Sequence, residues 1–223
     1  MTLARQPFPD PADALGATDV IEADDPSICA TAERVAGDAS GAEAVRRLFE
    51  FVRDGIKYEM SPEVHAREDW KATGTLERGY GFCQQKSVLL ASLLRAKGVP
   101  AGIVVQDLLD HKIPQHYVDF IGHQRLEAHG LVCAFVEGEW VLLDATLPLR
   151  LCEKKNYRVV EYDGTGDAVL PETDLAGEPH FEIVAEMGVW ADMPQEIVDL
   201  TVGLEYLHSP EYKKMARRHG PGM

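Results

Sequence analysis

Four cysteines are scattered through the 223 residues, and one of them has company suited to chemistry. Cys83 closes the run Gly79-Tyr80-Gly81-Phe82-Cys83 and is followed by Gln84-Gln85-Lys86 and the apolar stretch Val88-Leu89-Leu90-Ala91-Ser92-Leu93-Leu94. That pattern places Cys83 at a helix start. There its sulfur faces backbone N–H groups without intrahelical partners and the positive end of the helix dipole, which favour thiolate over thiol. A thiolate that attacks a carbonyl needs a proton partner, and that partner needs an orienting acid. His129 and Asp144 are of the right types, on two strands that can form one hairpin.

The hairpin register decides whether those two side chains can meet. With Glu137-Gly138 as a two-residue turn, residues whose numbers sum to 275 face each other, so Leu131 lies opposite Asp144 and Phe135 opposite Trp140. Alternation then sets His129, Leu131, Cys133 and Phe135 on the face of Asp144, Leu142 and Trp140. His129 and Asp144 become diagonal neighbours, with Cα atoms roughly 7–8 Å apart, within reach of an imidazole–carboxylate hydrogen bond. A three-residue turn would send Asp144 to the other face.

An oxyanion formed by attack on a carbonyl needs donors, and the Cys83 backbone N–H is the simplest one. The second donor is left among the Tyr80 hydroxyl, the Tyr58 hydroxyl and the Gln84 side chain. Trp140 is a candidate wall of the site, with core packing as its default role. Cys29, Cys133 and Cys152 read as packing residues. No C-x-x-C spacing occurs, which disfavours a zinc knuckle or a disulfide framework. His111, His116, His123 and His129 match neither a helical i, i+4 pair nor a zinc-finger pattern, so neither a metal nor another cofactor is expected. Their loop, leading into His129, is the candidate for substrate selection.

The elements that must position these groups are legible in outline. Residues 1–24 read as an extended or poorly ordered arm, followed by a single domain over 25–223 with its core at about 26–162 and a loop-and-helix extension over 163–223. Asp25-Pro26 opens a helix, and Ser40-Gly41-Ala42-Glu43 fits a capping box ahead of a second helix that Gly55 stops. Tyr58 to Phe82 reads as a long ordered connection. The Cys83 helix ends near Lys97, with Gly98 in the left-handed position. Strands are predicted at 101–105, 130–136, 139–144 and 157–162, the last closing the sheet. Pro194 begins an amphipathic helix bearing Ile197, Val198, Leu200, Leu204 and Leu207, and a basic tail follows. Helices packed on an antiparallel sheet make this an α+β fold.

A net charge of −15 disfavours nucleic-acid and anionic-membrane partners, because both are held by clustered Lys and Arg. No apolar run approaches the ~18 residues of a membrane helix, and the first ten residues lack the apolar core of a signal peptide. Cytoplasm, where a free thiol survives, is the expected compartment.

These residues together resemble the transglutaminase-like superfamily of papain-like cysteine enzymes. The resemblance runs through Phe51-Val52-Arg53-Asp54-Gly55-Ile56-Lys57-Tyr58, Thr75-Leu76, Gly81-Phe82-Cys83 and Ala91 to Leu94, then Arg95-Ala96-Lys97-Gly98-Val99-Pro100-Ala101. It ends with His129 and Trp140-Val141-Leu142-Leu143-Asp144-Ala145-Thr146, covering about residues 26–150. It implies a papain-like fold with the nucleophile at Cys83, the base at His129 and the orienting acid at Asp144. It implies amide- or peptide-bond hydrolysis, or acyl transfer, through a thioester on a peptide or small amide. Gln84-Gln85 stand where an acidic or small residue is common, and Gly130-Leu131 where Ala-Trp usually follows the histidine. A binding module that has lost catalysis, and a small cyclic-amide hydrolase, are the alternatives.

Overall fold

A computed structural model describes residues 7–61 and 64–219. In chain order the elements are α1 (Pro26–Ala36), α2 (Gly41–Gly55), β1 (Lys57–Tyr58), α3 (Ala72–Arg78), β2 (Tyr80–Gly81) and α4 (Cys83–Ala96). Then come β3 (Ala101–Asp110), α5 (Gln115–Ile121), β4 (Arg125–Val136), β5 (Glu139–Leu143) and α6 (Leu149–Lys155). The chain continues with β6 (Phe181–Trp190), α7 (Gln195–Val202), α8 (Glu205–His208) and α9 (Pro210–His219). Four strands form an antiparallel sheet in the order β5-β4-β3-β6, and β1 pairs with β2 in a short parallel ladder. The fold is α+β, with helices packed on an antiparallel sheet and Cys83 as the first residue of the central helix.

Helix α4 is buried almost all round, from Cys83 to Arg95, which is why its sequence carries apolar residues on every side. Its polar side chains are therefore satisfied internally. Ser87 and Ser92 donate to the carbonyls of Cys83 and Val88, and Arg95 donates to the carbonyl of Ala101. The helix runs into Gly98 at a φ of 75°, a left-handed cap that frees the chain to turn into β3.

Several expectations need correction. The segment predicted as an arm over 1–24 packs into the core through residues 7–24: it holds a 3-10 turn at Pro11–Ala14 and buries Ala14, Val20 and Ile21. Thr18 donates to Asp192, and Asp19 pairs with Arg67, so polar contacts as well as apolar ones hold it down. Residues 1–6 lie outside the described residues. Ser40 makes no side-chain cap on α2; Glu43 is taken by Arg46 and Arg47 instead. The connection from Tyr58 to Phe82 contains α3 and a 3-10 turn at Arg67–Trp70. No strand forms over 157–162: Val160 and Tyr162 are buried, but the Val160 carbonyl accepts from Arg53 Nη1 at 2.7 Å rather than from a neighbouring strand. The fourth strand is β6, which pairs with β3. The predicted last helix is broken after Val202 and again before Pro210, giving α7, α8 and α9, with Met215 and Ala216 of the basic segment packed inward. Among the described residues no helix is long and apolar enough to cross a membrane.

Candidate active site

The β4–β5 hairpin has the two-residue register. Val132 faces Leu143, Ala134 faces Val141, and Val136 faces Glu139 across the turn. Glu137 and Gly138 take φ values of 52° and 93°, the left-handed pair that such a turn requires. Alternation follows from it: Leu131, Cys133, Trp140 and Leu142 gather on one face, while Val132, Ala134, Val141 and Leu143 join the main core.

Beyond the ladder, His129 and Asp144 meet. His129 Nε2 lies 2.6 Å from Asp144 Oδ2, with both side chains almost wholly buried. The Asp144 carboxylate is itself fixed, since Oδ1 accepts the Thr146 N–H at 3.0 Å. Its backbone N–H donates to the Ala168 carbonyl at 2.8 Å, so the excursion after residue 163 pins the end of β5. Burial alone would drive the His129 pKa down. The negative charge of Asp144, then that of Cys83, and hydrogen bonds to both raise it to about 10. With Nε2 committed to Asp144, Nδ1 is the nitrogen left for the Cys83 sulfur.

A β-bulge lies just ahead of the histidine in β4. Gln106 pairs with His129 and Leu108 with Leu126, so Asp107 stands opposite two residues, Glu127 and Ala128. Ala128 adopts a φ of 53°, and its N–H is held by Asp107 Oδ1 at 2.7 Å. Strict alternation would set Leu126 and His129 on opposite faces. The bulge brings both to the lining of the same cleft.

Cys83 is 9% exposed and opens on that cleft, between Tyr58 and Met60 on one side and Leu204, Tyr206, Leu207 and Tyr212 on the other. The Tyr58 hydroxyl is held protonated, first by burial and next by the charge of Cys83, so it remains a hydrogen-bond donor beside the sulfur. Of the three candidates for the second oxyanion donor, Tyr58 and Gln84 line the cleft and Tyr80 does not. Tyr80 is 41% exposed, its ring under the Arg78 guanidinium at 5.7 Å, because its rung in the β1–β2 ladder points it outward. Gln84 is buried, with its amide fully used: Nε2 donates to the Ala128 carbonyl at 2.7 Å and to Thr201 Oγ1 at 3.0 Å, and Oε1 accepts from Trp70 Nε1 at 2.8 Å. It ties α4 to β4 and α7 and has no donor to spare. Trp140 stacks on Phe8 at 5.3 Å beside the hairpin turn, four residues or ~13 Å of strand from Asp144, and walls no part of the cleft.

The histidines ahead of His129 are dispersed, and His116 lies in α5 rather than in a loop. His111 approaches Glu182 at 3.2 Å, His116 packs on Tyr117 and His123 lies 4.0 Å from Glu127. Among the described residues no group of three or more His, Cys, Asp or Glu could hold a metal ion. The roof of the cleft was not foreseen. Residues 204–212 come from the extension whose helical spacing was evident, but whose docking on Tyr117 and Met60 carries no local signal.

A family model, the transglutaminase-like superfamily, matches residues 30–145, just over half of the chain. The chain belongs to the transglutaminase-like superfamily. Among solved structures it is similar to one named a "putative cysteine protease" from Cytophaga hutchinsonii, at 16% identity and a TM-score of 0.48. The similarity covers 80% of this chain and 53% of that one. A "putative protease" from Parabacteroides distasonis is similar at 16% identity and a TM-score of 0.38, over 56% of this chain and 24% of that one. This transglutaminase-like chain thus spans about half of the first and a quarter of the second. No protein of curated function is significantly similar in sequence.

Proposed function

We propose that this chain is a cysteine-dependent amide hydrolase that acts through a Cys83 thioester, with His129 and Asp144 completing the triad. The observation that carries the reading is the 2.6 Å bond between His129 and Asp144, with His129 lining the same cleft as Cys83. The thiolate attacks the amide carbon, and the oxyanion is met by the Cys83 N–H and the Tyr58 hydroxyl. Protonated His129 delivers its proton to the leaving nitrogen as the C–N bond breaks, giving amine and thioester. Water then attacks the thioester with His129 as base, releasing acid and thiol. An amine in place of water would make the same site an acyl transferase.

Cleft shape favours a small or narrow amide over a folded protein loop. The space beside Cys83 is about 60 Å³, roofed by α8 and α9, and about 90 Å³ more adjoins it past Tyr58, Met60 and His129. The Tyr212 hydroxyl donates to the Met60 carbonyl at 3.2 Å, and the Tyr212 ring meets those of Tyr117 and Tyr206 edge-on, which holds the roof down. A panel of short peptides, aminoacyl amides and cyclic amides, read by amine release, tests the reading. Turnover by the wild type and none by Cys83→Ala is expected. A Cys83→Ala protein that keeps turnover would end it.

A further inference from the structure

Lys86 lies one helical turn beyond Cys83, its side chain 1% exposed in the middle of the protein. Its Nζ donates to three backbone carbonyls, those of Ile56 at 2.8 Å, Thr146 at 3.0 Å and Arg53 at 3.1 Å. The Arg53 and Ile56 carbonyls belong to the C-terminal end of α2, where no intrahelical N–H remains to bond them and the dipole is negative. The Thr146 carbonyl belongs to the loop leaving β5, two residues past Asp144. All three partners are acceptors, so an ammonium with three N–H groups satisfies the set, whereas a neutral amine would turn its lone pair on one of them. Burial draws the Lys86 pKa down to about 7, while the charges of Asp144, Asp54 and Cys83 hold it up.

The third contact reaches the triad. Thr146 is gripped at both ends: its carbonyl by Lys86, and its N–H by Asp144 Oδ1 at 3.0 Å. The other carboxylate oxygen takes His129 Nε2. Lys86 shares a helix with the nucleophile, and through Thr146 it holds the loop that carries the acid. We infer that Lys86 is a positioning residue, which clasps the Thr146 carbonyl to α4 and α2 and thereby sets the Asp144 carboxylate against His129. The ammonium also balances charge. A Cys83 thiolate, a His129 imidazolium and an Asp144 carboxylate leave one negative charge in a buried site, and Lys86 supplies the opposite one.

This inference rests on the proposed triad, and a thermodynamic cycle keeps the two separable. Lys86→Met keeps the apolar stem and removes the donors. If Lys86 acts through Asp144, Lys86→Met lowers kcat by about 10- to 100-fold with KM little changed, the loss usual for groups that orient a catalytic residue. In an Asp144→Asn background the same change then costs less than about threefold, because coupled residues are not additive. In 15N-histidine-labelled protein, the downfield Nε2–H resonance of His129 shifts or broadens in Lys86→Met. A residue that only caps α2 would lower the melting temperature, yet leave that resonance in place and the two losses additive. Those results, or an unchanged kcat in the folded variant, would overturn the inference. Lys86→Gln, which keeps two donors, is read in the same way if Lys86→Met does not fold. Turnover surviving in Cys83→Ala would instead remove the triad, whatever Lys86 does.

Discussion

Gly130 and Gln84 meet at the point where β4 docks on the first turn of α4. A β-carbon on Gly130 would stand 2.9 Å from the Gln84 Cα and 3.0 Å from its Cγ. His129 and Cys83 are the immediate chain neighbours of this contact, so the closeness of nucleophile and base depends on a residue with no side chain. The partner backbone here comes too near for a methyl group.

Gly130→Ala should therefore push β4 off α4 rather than fill a space. The expected cost is about 1–3 kcal/mol of stability, the usual range for overpacking. Activity should fall by more than the folded fraction explains, because Cys83 and His129 are moved apart. Urea titration and kcat on the same preparation check both.

Asp144→Asn should change the pH profile in a set direction. Burial lowers the His129 pKa, and the charges of Asp144 and Cys83 reverse that to about 10. Without the carboxylate its charge and its hydrogen bond no longer oppose burial, so His129 loses its proton at lower pH. The alkaline limb of kcat/KM moves down accordingly, and the maximal rate drops by about 10²- to 10⁴-fold. A histidine with a raised pKa contributes stability that is full below its unfolded value near 6.5. That contribution is lost as pH rises toward about 10, so wild-type stability falls over this window and that of the variant falls less.

Tyr58→Phe and Gln84→Ala should separate chemistry from structure. Removing the Tyr58 hydroxyl takes away a donor beside Cys83, and kcat should fall by about 10²-fold or more while KM holds. Removing the Gln84 amide leaves the Trp70 N–H and the Ala128 carbonyl buried without partners, at about 1–3 kcal/mol each. Its signature is a lower melting temperature. If Gln84→Ala instead kept its melting temperature and lost only kcat, Gln84 would be an oxyanion donor.

What was legible in the chain was local. Glu137-Gly138 between two apolar runs set the hairpin register, and that register alone put His129 beside Asp144. Gly98 and Pro100 marked the end of α4. The residues that misled did so because their placement is decided by distant segments. Trp140 shares the hairpin face of His129, but a strand is long, and Phe8 from the opening segment covers its far end. Val160 and Tyr162 have the alternation of a strand, yet the edge of β3 is taken by β6. The bulge at Ala128 rests on Asp107 one strand away, and the amide of Gln84, a candidate oxyanion donor from its position, is spent on Trp70, Ala128 and Thr201 from three other segments.

The central claim is that Cys83 is the nucleophile, and limiting iodoacetamide at mildly acidic pH tests it without knowledge of the substrate. Cys29 is exposed, whereas Cys83, Cys133 and Cys152 are buried, so accessibility alone favours Cys29. Site-resolved mass spectrometry should find Cys83 carboxamidomethylated first and Cys29 well behind, with the order lost in His129→Ala. Modification of Cys29 first, with Cys83 left inert, would contradict the account.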